Sequence, residues 1–226
     1  MKRFAIIVAG GSGTRFGSNI PKQFLPLCGL PVLMHTVKKF AASGAEVVLV
    51  LPASQQDFWR ELCAKYAFGE RCRVVSGGNS RFASVKNGLS AIDVAEGDVV
   101  AVHDGVRPLV SLAVIENAFV EAALCGSAVP VVKVTDSIRR VAPDGTSQAM
   151  RRDELVAVQT PQTFDALALK RAYEVDFSEL FTDDASVFEA AGHAVHLIAG
   201  NVENIKITHP CDISIAENLL KNGTTC

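Results

Sequence analysis

Hydrophobic residues along the chain fall into two alternating patterns. Short β-branched runs at residues 4–8, 47–51, 73–75, 99–102, 128–132, 194–198 and 205–208 predict strands. Longer stretches of helical period lie between them, at 31–42, 54–67, 81–94, 112–124, 163–173, 184–191 and 211–220. Prolines punctuate two helix starts, Pro31 after Gly29-Leu30 and Pro210 before Asp212. Such alternation predicts an α/β fold of Rossmann-like type, a mostly parallel central sheet with helices on both faces. Residues 135–158 break the rhythm, because they lack a helical period and carry the turn signal Pro143-Asp144-Gly145-Thr146. They predict an extended β-hairpin. A two-stranded hairpin is marginal alone in water, so it is expected to act as a dimerisation arm against a second copy.

Size and charge narrow the function classes. The 226 residues suit a single domain spanning the whole chain, with the arm as its appendage. The 22 basic and 24 acidic residues balance, which supplies no general field for nucleic acid or an anionic membrane. An anionic ligand must therefore be gripped locally. No apolar run approaches the roughly 18 residues of a membrane span. The opening MKRFAIIVAGG reaches glycine too early for an export signal, which points to a cytoplasmic protein. Six cysteines without a C-x-x-C pair and five histidines without H-x-x-x-H spacing predict reduced thiols and no zinc.

The first strand runs directly into Ala9-Gly10-Gly11-Ser12-Gly13-Thr14-Arg15-Phe16-Gly17. Glycines here bring bare N–H groups close to a ligand, and such nests favour phosphate oxygens; a tight strand-to-helix turn is the structural alternative. The dinucleotide pattern fails because Phe16 stands where a glycine is required, and the P-loop fails because Ser18 follows Gly17 in place of lysine. What remains is G-G-x-G-x-R followed by Pro21-Lys22-Gln23. Two cations flanking a glycine nest complement a triphosphate and the charge that develops at a phosphorus under attack.

These residues, with Gly77-Gly78-Asn79-Ser80-Arg81, His103-Asp104-Gly105-Val106-Arg107-Pro108, Thr160-Pro161-Gln162, Thr182-Asp183-Asp184 and Asn204-Ile205-Lys206, follow one another along nearly the whole chain. Together they resemble the nucleotidyltransferases that activate sugars and polyols, and within them the 2-C-methyl-D-erythritol 4-phosphate cytidylyltransferases. The resemblance implies transfer of CMP from CTP to the polyol phosphate, with release of pyrophosphate. It implies nucleotide contacts at Ala9, Gly10, Gly11, Gly13, Gly78, Asn79, Arg81 and Ser84. It also implies catalytic roles for Arg15, Lys22, Arg152 and Lys206, and substrate contacts at Asp104, Arg107, Ser137, Thr160 and Thr182. Asn79 stands where the family often has aspartate, and Ser137 where threonine is usual.

Local sequence leaves several of these roles open. Asp104 ends an apolar strand, where it can hold Mg²⁺ or another divalent cation, or form an Asp-Gly turn. Arg107 can serve packing or the dimer contact. Thr182-Asp183-Asp184 can be a helix cap. Lys206 is either an edge lysine or a cation aimed into the site, and folding about Asp144-Gly145 is expected to bring Arg139-Arg140 opposite Arg151-Arg152, a repulsion that an anion would relieve. Rival functions are a ribitol 5-phosphate cytidylyltransferase and a catalytically silent nucleotide sensor. An NAD-linked oxidoreductase is disfavoured by Phe16.

Overall fold

The computed structural model describes residues 1–10 and 20–223. In chain order the described elements are β1 (Arg3–Val8), β2 (Pro26–Leu27), β3 (Leu30–Pro31), α1 (Val32–Ala42), β4 (Glu46–Leu51), α2 (Gln56–Lys65), β5 (Cys72–Ser76) and α3 (Arg81–Ser90). There follow β6 (Val99–Asp104), α4 (Leu112–Cys125), β7 (Ser127–Lys133), β8 (Ile138–Val141), β9 (Ser147–Met150), β10 (Val156–Val158) and β11 (Gln162–Asp165). The chain closes with α5 (Ala166–Ala172), α6 (Asp184–Ala190), β12 (Leu197–Ala199) and α7 (Cys211–Asn222). No described helix is long and apolar enough to cross a membrane.

The main sheet runs β10-β7-β11-β6-β1-β4-β5, with β12 also paired to β7. Strands β6, β1, β4 and β5 are parallel. Alternation along the strands fills two cores. Phe4, Ile6, Val48, Val50, Val100 and Val102 face α3, α5 and α6, while Ala5, Ile7, Leu49 and Ala101 face α1, α2 and α4. Strand order reverses at β1, whose neighbours are β4 on one side and β6 on the other. Open α/β sheets bind ligands outside the carboxyl ends of their strands at such a reversal. The register sets Val8 beside Asp104, so the loop after β1 and the carboxylate at the end of β6 share that crevice.

The structure departs from the sequence-based expectations in several places. Residues 162–165 form β11, not the start of a helix, because Thr163 and Phe164 are buried between β6 and β7 and bonded to both. The helix begins only at Ala166, capped by the Asp165 carboxylate, which accepts from Ala168 N at 2.8 Å. Residues 205–208 are not a strand; they are held by single bonds such as Ile207 N to Val106 O at 2.9 Å. The region 135–158 divides. Strands β8 and β9 form a hairpin of exposed and half-buried residues, whereas β10 returns to the main sheet against β7. Its register pairs Arg139 with Ala149 and Arg140 with Gln148, so the expected like-charge face across the hairpin does not form. Arg151 instead meets Asp153 and Glu154, each at 3.1 Å.

The end of β6 is fixed by a buried histidine. His103 Nε2 lies 3.1 Å from the Arg107 carbonyl, which only accepts, so this nitrogen carries the proton. Nδ1 then accepts from the Thr160 hydroxyl at 3.0 Å, and the same hydroxyl oxygen accepts from Asp104 N at 3.1 Å. Asn204 Nδ2 donates to Thr160 O at 2.8 Å and ties in the segment before Lys206. Burial pushes the His103 pKa down to about 4, despite the raising effect of the Arg107 carbonyl. Between its ordinary value of 6.5 and about 4 the unfolded chain therefore binds a proton here that the folded chain refuses. Stability is complete above that window and falls as pH falls through it, by roughly 3 kcal/mol from this residue. Burial lowers His35 as well, with the same sign. Urea unfolding between pH 7 and pH 4.5 should show this loss. His103→Gln should flatten most of the slope, and an unchanged slope would contradict the assignment.

Candidate active site

Three strand ends converge on the crevice. Beyond β1, Ala9 N donates to Val50 O at 3.0 Å and carries the chain across the end of β4. Gly105 N donates to Val8 O at 2.9 Å, and a Cβ on Gly105 would lie 2.9 Å from the Ala9 Cβ. Glycine is what lets the loop after β6 approach the loop after β1 this closely. Beyond β5, Gly77 N donates to Leu51 O at 2.8 Å, and Gly78 lies against Ala83, where a Cβ would come within 2.4 Å of the Ala83 Cβ. Ser80 caps α3 by accepting from Ala83 N at 3.0 Å. Ser84, one turn inside, accepts from Gly78 N at 3.1 Å and donates to Ser80 O at 2.8 Å. Its hydroxyl thus shapes the Gly77-Gly78 turn and faces Gly10, while Gly78 and Asn79 remain exposed.

Lys22 sits in a 3-10 turn, Lys22–Phe24, immediately after the glycine-rich loop. Gln23 anchors that turn under the end of β1, donating to Ala9 O at 3.0 Å and to Gln55 Oε1 at 2.7 Å. Phe24 packs on Phe58 and Trp59. Gly11, Gly13 and Arg15 lie outside the described residues.

Asp104 is the centre of the charged cluster. Lys206 Nζ lies 2.9 Å from Oδ2, Arg107 Nε 3.5 Å from Oδ2, and Arg81 Nε 3.6 Å from Oδ1. Burial acts to raise the Asp104 pKa, but Arg81, then Lys206 and Arg107, outweigh it and hold the carboxyl well below the usual carboxylate range. Arg107 is fixed further by donating to Asn204 O at 2.8 Å. Arg81 forms a two-pronged pair with the buried Asp184, at 3.0 and 2.6 Å, and Tyr173 donates to the same carboxylate at 2.6 Å. Burial and then Asp184 raise the Tyr173 pKa, so the phenol keeps its proton. Lys206 reaches Asp104 from the loop 205–208 and is about half exposed on its outer side.

Residue types in the cluster bear on the metal expected at Asp104. Both of its oxygens face cations. A divalent ion at this carboxylate would face three positive groups, so the side chains do not fit a resident Mg²⁺ and make Asp104 a counter-ion instead. Thr160 also takes a different place from the expected substrate contact, since its buried hydroxyl joins His103 to the Asp104 backbone.

Thr182 is exposed just ahead of α6, where Asp183 and Ser186 form a capping box. Gln162 holds that helix start, donating to Asp183 Oδ2 at 2.7 Å and accepting from Ala185 N at 2.8 Å. Ser137 and Arg152 are exposed and flank the β8–β9 hairpin, and the Arg152 guanidinium donates to Thr135 O at 2.5 Å. Within one chain, then, Ala9, Gly10, Gly78, Arg81, Ser84, Asp104, Arg107 and Lys206 line the strand ends, and the arm residues do not join Asp104's ion pairs. Gln23, His103, Asp184 and Asn204, which lie in the quoted motifs but were given no site role there, support the site together with Tyr173. Tyr173 alone among them carried no signal in the sequence.

The profile of the 2-C-methyl-D-erythritol 4-phosphate cytidylyltransferase family matches residues 4–222. A protein of that name from Porphyromonas gingivalis is 53% identical over 97% of this chain and 98% of its own length. Its counterpart in Bacteroides fragilis is 50% identical over 97% of this chain and 100% of its own. The crystal structure of 4-diphosphocytidyl-2C-methyl-D-erythritol synthase from Anaerococcus prevotii superposes with a TM-score of 0.82 at 29% identity, covering 97% of this chain and 98% of that one. The Thermus thermophilus cytidylyltransferase superposes with a TM-score of 0.78 at 30% identity, over 98% and 100% of the two chains. The chain belongs to the 2-C-methyl-D-erythritol 4-phosphate cytidylyltransferase family.

Proposed function

We propose that the protein is a cytoplasmic enzyme that transfers CMP from CTP to 2-C-methyl-D-erythritol 4-phosphate, forming 4-diphosphocytidyl-2-C-methyl-D-erythritol and pyrophosphate. The observation that carries this reading is the cluster of Lys206, Arg107 and Arg81 around Asp104 at the sheet's reversal point, beside the glycine loops. Magnesium or a similar divalent ion enters as part of the substrate, bound to CTP phosphates and water.

A phosphate oxygen of the polyol phosphate attacks the α-phosphorus of CTP in line with the bridge to the β-phosphorus. A new P–O bond forms, the α–β bridge breaks, and its electron pair leaves on pyrophosphate. No covalent enzyme intermediate is needed, so the protein contributes position and charge. Backbone at Ala9, Gly10 and Gly78, with Asn79 nearby, receives the nucleoside end. Arg15 and Lys22 stabilise the charge growing on the phosphorus and the leaving group. Asp104 accepts from the acceptor's hydroxyls while Arg81, Lys206 and Arg107 keep it ionised and add positive charge, and Thr182 supplies a hydroxyl at the pocket's rim. Arg152 and Ser137 would complete the site from a partner's arm in a homodimer, gripping the acceptor phosphate.

Pyrophosphate release with CTP and Mg²⁺ tests the function directly. Turnover with 2-C-methyl-D-erythritol 4-phosphate and little with ribitol 5-phosphate is expected; the reverse preference would assign the rival acceptor, and CTP binding without release would make the protein a sensor. Lys206→Ala should lower kcat/KM for the polyol phosphate by about a hundredfold, while CTP affinity changes by less than about twofold. Lys22→Ala should lose turnover similarly and still bind CTP. The shared site predicts complementation. Mixing the Arg152→Ala and Lys206→Ala chains and allowing exchange should restore about a quarter of wild-type turnover, since half the dimers carry one intact site of two. No recovery in a sample shown to exchange would place Arg152 in its own chain's site.

A further inference from the structure

We propose a second, separate ion site: Glu121, Cys125 and His196 form a three-ligand centre for Zn²⁺ or a similar borderline-soft divalent cation. Their ligand atoms all lie within 4.8 Å of one another. His196 Nε2 is 3.5 Å from Glu121 Oε2, and Cys125 Sγ is 3.9 Å from the same oxygen. Tetrahedral zinc, with bonds of about 2.0 Å to nitrogen and oxygen and about 2.3 Å to sulfur, requires ligand pairs roughly 3.3–3.6 Å apart. Small rotations of two exposed side chains bring the trio to that spacing.

The backbone beneath the trio is already fixed. Glu121 and Cys125 are four residues apart and share one face of α4. The helix ends directly after Cys125 at Gly126, whose φ is 83° and whose N donates to Ala122 O at 2.9 Å. The cation would therefore sit at the negative end of the helix. His196 is pinned on both sides, by its N donating to Ser127 Oγ at 2.9 Å and its carbonyl accepting from Val129 N at 2.8 Å. The ligands thus rise from two elements that are bonded together before any ion arrives.

Charge and ligand type select the ion. Carboxylate plus thiolate balance a divalent cation, and solvent supplies water at the fourth position. Cys125 loses its proton to solvent as the S–metal bond forms. Thiolate and imidazole favour zinc-like ions over Mg²⁺ and Ca²⁺, so the centre does not compete for the ion that CTP carries. Because α4 ends and β12 begins at the amino ends of β7 and its parallel neighbours, the centre lies at the opposite edge of the sheet from Asp104. Its effect is a clamp between α4 and β12.

Titrating the reduced, metal-free full chain with Co²⁺ tests the proposal. One equivalent should bind with a thiolate-to-cobalt charge-transfer band, and Zn²⁺ should displace it. At a hundredfold excess of Zn²⁺ over its Kd, Tm should rise by about 5–10 °C. Cys125→Ser should abolish the band and His196→Asn should weaken binding at least about tenfold, with pyrophosphate release unchanged in both. Cys211→Ser, which removes the thiol beside Asp212, should keep the band. Absence of one-equivalent binding, or a band that survives Cys125→Ser, would overturn the site and leave Glu121–His196 as a surface ion pair.

Discussion

A single buried carboxylate organises the crevice. Three cations, Arg81, Arg107 and Lys206, would repel one another at such close range without it, and Asp104 with Asp184 supplies two negative charges against their three positive. The cluster retains one positive charge in excess, preassembled at the edge where the sheet's strand order reverses. Preassembly matters because ordering long charged side chains at the moment of binding costs conformational entropy. Here the cost is met during folding, through Asp184 and Tyr173 behind Arg81 and through Asn204 behind Arg107. A polyanionic substrate then meets fixed charge.

The same carboxylate connects the fold to the chemistry. Asp104 is the last residue of β6, and its amide is held by Thr160, which is held by a neutral His103. Protonating that histidine would place a third kind of cation inside the core and remove the acceptor for the Thr160 hydroxyl. Stability and site geometry are therefore coupled through one buried ring. The glycine loops contribute differently: Gly105 and Gly78 lack side chains where backbone and neighbouring residues leave no room for one, and so let three strand ends crowd together.

Much of this was legible in the sequence. Apolar runs ending in glycine or in His103-Asp104-Gly105 marked β1 and β6 and their carboxyl ends, because short β-branched runs bounded by turn residues read as buried strands. Lys206, which local sequence left open between an edge lysine of a strand and a cation aimed into the site, lies 2.9 Å from Asp104 and does so from a loop. What remained hidden depends on contacts distant in the chain. Asp184 lies 103 residues from Arg81, and locally it reads as part of a helix cap. Thr160 reads as a ligand hydroxyl until its burial beside His103 is known. β11 was masked by the helix that follows it, since pairing with β6 and β7 overrides the local period. The arm's charge pattern failed because a hairpin's register shifts with the exact turn, and three residues of shift moved Arg151 and Arg152 past the strands.

The most direct test of the central claim is a crystal structure with the product, 4-diphosphocytidyl-2-C-methyl-D-erythritol. The erythritol hydroxyls should lie within hydrogen-bond distance of Asp104 and Lys206, with the cytidine against Gly10 and Gly78. A polyol bound away from Asp104, with the Asp104–Lys206 pair untouched, would contradict it.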